Sequence, residues 1–107
     1  MRYQIVYWRD IPTQVRGKNG RKRASQMLPD RFQKVAYRAA FRAKAINGPE
    51  YAESFRHGDW VTATNEEAES LDAVLAAVAV ELDQAYSDDQ LNQLALQKGY
   101  AEQQQEN

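Results

Sequence analysis

Four cationic side chains, Arg31, Lys34, Arg38 and Arg42, recur at steps of three and four residues, which places them on one face of a helix. Like charges at that spacing repel, so something must compensate them: solvent, acids from elsewhere in the chain, or an acidic partner. A second group, Arg16, Lys18, Arg21, Lys22 and Arg23, surrounds an Asn19-Gly20 turn. A basic hairpin of this kind can meet a phosphate backbone, but keeping an edge strand from pairing with other chains is the reading placed ahead of it. Trp8-Arg9-Asp10 sets a large aromatic beside an adjacent pair of opposite charges. Trp and Arg are frequent interface anchors, whereas Asp10 can simply cap the turn at Ile11-Pro12. On a strand, Trp8 and Asp10 share one face and Arg9 takes the other.

Catalytic chemistry finds less support. His57 is the single histidine, in Arg56-His57-Gly58-Asp59-Trp60. Without serine or cysteine partners at suggestive spacing it makes a poor nucleophile relay or metal site, and a turn histidine with structural hydrogen bonds is the simpler reading. The absence of cysteine excludes disulfides, thiolate nucleophiles, iron–sulfur ligation and cysteine zinc sites. No GxSxG, Walker-type or GxGxxG pattern occurs. The acid pairs Glu66/Glu67 and Asp88/Asp89 sit at helix starts, where the helix dipole explains them. The sequence therefore predicts no catalytic, cofactor-binding or metal-binding residue.

Charge is divided sharply along the chain. Residues 1–60 hold 13 of the 14 Lys/Arg and 5 of the 15 Asp/Glu, a net of +8; residues 61–107 hold Lys98 against 10 acids, a net of −9. The overall −1 hides this split. Either the two halves face each other, within one chain or across a homodimer, or the basic half meets an acidic partner, phosphate or nucleic acid. Helix-turn-helix, zinc-finger and aromatic RNA-binding signatures are missing, and the acidic half would repel a polyanion unless it lay well away. Nucleic acid is thus the lesser reading and an acidic protein partner the leading one. No apolar run approaches a membrane span and no signal peptide is visible, so the expected location is cytoplasmic, without membrane contact.

The elements that must position these residues read as α+β: an N-terminal β-meander, then helices, a short strand and a C-terminal helical half. At 107 residues the chain has room for one domain, placed at 1–101, with a polar glutamine-rich tail at 102–107. The meander covers residues 2–27: a strand at 3–8, a break at Ile11-Pro12, a strand at 13–18, the Asn-Gly turn, and a largely exposed strand at 21–27. Leu28-Pro29-Asp30 opens a helix carrying Phe32, Val35, Ala36, Ala39, Ala43 and Ile46 on its inner face, closed by Asn47-Gly48. A second helix runs from Pro49 to about Arg56 with Tyr51, Ala52 and Phe55 inward, and residues 60–64 form a short strand. Thr64/Asn65 with Glu67 and Glu69 resembles a capped start for a long helix striped by Leu71, Val74, Leu75, Val78, Leu82 and Tyr86. Ser87-Asp88-Asp89 caps a last helix with Leu91, Leu94 and Leu96, closed by Lys98-Gly99.

The segments Ile5-Val-Tyr-Trp-Arg-Asp-Ile-Pro-Thr-Gln-Val15, Leu28-Pro-Asp-Arg-Phe32 and Tyr37-Arg-Ala-Ala-Phe-Arg-Ala43 resemble the small bacterial "virulence factor" family over roughly the first 60 residues. Similar domains occur attached to HEAT-repeat proteins such as the conserved virulence factor C type. The family supplies no reaction, cofactor or catalytic residue to carry over. What the resemblance implies is an accessory or interaction module, and an accessory subunit of a folate- or corrinoid-linked methyl-transfer system. The expectation is a non-enzymatic protein that binds through Trp8, Arg9, Asp10, Arg31, Lys34, Arg38 and Arg42. The alternative is anion or nucleic-acid binding through the hairpin cations Arg16, Lys18, Arg21, Lys22 and Arg23.

Overall fold

The computed structural model describes residues 1–63 and 70–101. β-Branched and aromatic residues near the N-terminus form β1 (Arg2–Trp8), which pairs antiparallel with β2 (Ile11–Asn19), and β2 with β3 (Lys22–Met27). The other edge of β1 carries two short strands, β4 (Phe55–His57) and β5 (Val61–Thr62), both antiparallel to it. β1 is therefore a central strand of a five-stranded sheet. The expected α+β meander is present.

Pro12 does not interrupt the second strand but lies inside β2, opposite Tyr7. The register slips there: Val6 faces Gln14 and Tyr7 faces Pro12, so Thr13 is the extra residue of a bulge. A bulge tolerates a residue without an N–H, and Thr13 Oγ1 donates to the Val6 carbonyl at 3.1 Å in compensation. At the hairpin, Asn19 pairs with Lys22, so the turn is centred on Gly20-Arg21 rather than Asn19-Gly20. Gly20 has φ +62°, as a two-residue hairpin turn with glycine first requires.

α1 (Asp30–Arg42) buries Phe32, Val35, Ala36, Ala39 and Ala40. It stops before Asn47-Gly48 because Lys44 takes the left-handed conformation, φ +58°. Lys44 N–H then bonds to Phe41 O at 3.0 Å and Ala45 N–H to Ala40 O at 2.9 Å, a Schellman closure that buries Ala45. α4 (Asp88–Leu96) closes in the same way at Lys98, φ +62°, with Lys98 N–H to Ala95 O and Gly99 N–H to Leu94 O.

The second expected helix is shorter than predicted. α2 spans Glu50–Glu53, and Phe55, expected inside, is exposed on β4. α3 (Leu71–Ala85) is capped by Ser70, whose side chain accepts from Ala73 N–H at 3.1 Å. The cap expected at Thr64/Asn65 and the tail at 102–107 lie outside the described residues. Of the α3 stripe, Leu71, Val74, Leu75 and Val78 are buried, with Leu82 and Tyr86 packed beside them. α4 buries Leu91 and Leu94 but not Leu96, which points outward. α3 packs on β2 and β3, while α1 bridges β2 and α4. Trp8, Ile11, Val15, Phe32, Leu71, Leu75 and Leu91 fill the space between. Each such large apolar side chain contributes about 1.5–3 kcal/mol relative to exposure.

Candidate functional site

Trp8, Arg9 and Asp10 are engaged within the fold. Trp8 is 0% exposed and its Nε1 donates to Tyr51 O at 2.9 Å, so it cannot serve as an exposed anchor. Strand alternation ends at Arg9, whose φ is +55°. The Arg9 guanidinium folds back between two rings, 4.8 Å from the Trp8 centroid and 4.7 Å from that of Tyr100. It donates to Ser54 Oγ at 3.3 Å and Lys98 O at 2.9 Å. Asp10 accepts from Arg56 Nη2 at 3.0 Å and from Ala101 N–H at 2.8 Å, while Arg56 Nε donates to Arg9 O at 2.8 Å. This clasp ties the β1–β2 turn to β4 and to the end of α4. Above it, burial pushes the Tyr86 phenol above its ordinary value, with Tyr7 and Asp10 adding to the shift and Arg56 opposing it.

The basic helix face is divided. Arg31 pairs with Asp83 at 2.8 Å and Asp88 at 3.1 Å, and donates to the backbone carbonyls of Asp83 and Tyr86, each at 2.6 Å. Here the basic and acidic halves of the chain do meet. Arg38 donates to Asn92 on α4 at 3.1 Å. Lys34 and Arg42 are exposed and, among the described residues, neither pairs with a carboxylate.

Beside Arg38 and Arg42 the helix presents two aromatics that the core periodicity leaves outside. Tyr37 is 56% and Phe41 71% exposed, and Leu96 of α4 stands nearby at 53%. These three line an open groove of about 900 Å³ between α1 and α4, with Arg38, Arg42 and Lys44 also among its lining residues. The sequence held the signal, because Tyr37 and Phe41 are four apart and match each other rather than the stripe of Phe32, Val35, Ala36 and Ala39. Large apolar residues gathered in one exposed patch mark a contact surface, and Tyr with Arg is the composition of interface hot spots.

The hairpin cations Arg21, Lys22 and Arg23 are exposed at the turn, with Arg16 and Lys18 half-buried along β2. His57, at the end of β4, is exposed and lies 3.3 Å from Arg16 Nη1 through its Nε2. Its neighbour Asp59 is also exposed.

The scaffold is thus a small α+β domain on an antiparallel sheet, with an apolar groove beside cations on its helical side. The family model described as "Virulence factor" matches residues 6–95, and the chain belongs to that family. No curated protein and no solved structure matches the chain.

Proposed function

We propose that this chain is a non-enzymatic accessory protein whose α1/α4 groove docks an acidic, partly apolar segment of a partner protein. The exposure of Phe41 and Tyr37 beside Arg38, Arg42 and Lys44 carries this reading. The groove is open along the surface rather than enclosed, which suits an extended or helical segment. The cations steer an acidic partner in and set its orientation. Burying the exposed parts of Tyr37, Phe41 and Leu96 then supplies affinity, about 1–2 kcal/mol of gross contact for each side chain. The basic helix face acts through Arg38 and Arg42, whereas Arg31 positions helices. A folate- or corrinoid-linked methyl-transfer enzyme is the partner that the family resemblance suggests.

Selection from a library of displayed random peptides tests the groove directly, whatever the identity of the partner. Enriched peptides are expected to combine acids with two or three apolar residues, and to lose binding to Phe41→Ala. That substitution removes an exposed ring and should change stability by no more than about 0.5 kcal/mol. Enriched peptides without an acidic bias, or indifferent to Phe41→Ala, would overturn the proposal.

A further inference from the structure

The sheet carries a second cationic surface, built on other elements than the groove. Gly17 faces α3: a Cβ there would come within 2.7 Å of a Leu75 methyl and 2.8 Å of a Leu71 methyl. Its neighbours Arg16 and Lys18 therefore rise from the opposite face. On that face the register sets Arg2, Lys18 and Arg23 directly across from one another on three successive strands. Gln4, Arg16 and Ser25 form the next row. Cations directly opposed across strands destabilise a sheet, and among the described residues none of these four pairs with a carboxylate. Solvent or a bound anion is left to compensate such an arrangement.

Two of the four are held in place. Lys18 Nζ sits 4.1 Å from the centroid of the Trp60 ring. Arg16, which can only donate, meets His57 Nε2 at 3.3 Å. Strands lie about 4.8 Å apart and alternate residues about 6.8 Å. The four cations accordingly cover a strip of roughly 10 by 7 Å, too wide for one small anion and suited to successive phosphates.

We propose that this sheet face binds the phosphate backbone of a nucleic acid, with Arg2, Arg16, Lys18 and Arg23 as the contacting cations and the exposed Arg21 beside them at the turn. Neither row carries an apolar side chain for insertion into lipid, which an anionic membrane surface would favour. Ser25 adds a hydroxyl donor of the kind that commonly meets phosphate. Among the described residues, the acids of α3 lie on the helix that covers the other face, and Asp83 and Asp88 are paired with Arg31. Contacts to phosphate carry no base information, so binding is independent of sequence.

Anisotropy of a labelled single-stranded oligonucleotide, followed across a salt series, tests the proposal. Four phosphate contacts predict a log–log slope near −3. Lys18→Gln/Arg23→Gln should weaken binding and reduce the slope by about 1.4. A scrambled oligonucleotide should bind equally well, and Arg38→Glu/Arg42→Glu should leave the curve unchanged, so the two surfaces fail independently. Circular dichroism checks that the hairpin variant is folded. Absence of binding at low salt, a wild-type curve for the Lys18/Arg23 variant, or binding to phosphatidylserine vesicles in place of the oligonucleotide would each overturn it.

Discussion

At the scale of single residues, the clasp around Trp8 explains why an aromatic stands next to a pair of opposite charges. Trp8 fills the core, Arg9 lies between its ring and that of Tyr100, and Asp10 fastens Arg56 and the backbone at Ala101. Gly99 completes this arrangement. It has φ +95°, and a Cβ there would lie 2.9 Å from the Trp8 ring and 3.2 Å from Arg9. Gly99→Ala is expected to cost about 1–3 kcal/mol, read as a lower urea midpoint at unchanged slope. Gly48→Ala, with open space around it and an ordinary φ, serves as the control and should stay within about 0.5 kcal/mol. Equal midpoints for the two variants would contradict the clasp. That Trp8-Arg9-Asp10 matters was legible from residue types, but its direction was not. Alternation fails at a single positive φ on Arg9, which residue types do not announce outside glycine and asparagine.

Among the elements, α4 holds the two halves of the molecule in register. Ser87 and Gln90 form a reciprocal capping box, so α4 begins where Asp88 can reach Arg31 and ends with Leu96 in the groove. Ser87→Ala should cost about 0.5–2 kcal/mol through the lost cap, measured by thermal or urea unfolding; an unchanged midpoint would show that tertiary packing alone sets the start of α4. The meander, α1, α3 and α4 were all legible because each has a strong period or a cap. Other features were hidden from a local reading. β4 is three residues long and exists by pairing with β1 some fifty residues earlier, so local propensity gives no guide to it. The bulge at Thr13 answers a pairing need that one strand read alone does not reveal. α1 ends at a left-handed lysine, where the sequence points to the later Asn47-Gly48. Tyr37 and Phe41 stand at helical spacing in the sequence, but spacing alone does not say that α4 leaves their side of α1 uncovered.

At the scale of the molecule, the opposite charges of the two halves form three separate arrangements among the described residues. Arg31 joins them through paired carboxylates that are 42% and 84% exposed; ion pairs this accessible contribute about 0–1 kcal/mol each and define helix placement more than stability. Arg2, Arg16, Lys18 and Arg23 collect on the sheet face away from α3. Arg38, Arg42 and Lys44 stand beside the apolar groove, the proposed seat of an acidic partner. The division of charge was plain in the sequence, and its partition among these three places required the register of the sheet and the packing of α1 on α4. The most direct test is the association rate of an acidic amphipathic peptide, taken from the library selection, with the wild-type chain and with Arg38→Glu/Arg42→Glu over a range of salt. The reversal is expected to slow association by about tenfold or more at low salt, to weaken or invert the salt dependence, and to leave the melting temperature unchanged. An association rate equal to that of the wild type in a folded variant would contradict the steering role of this helix face.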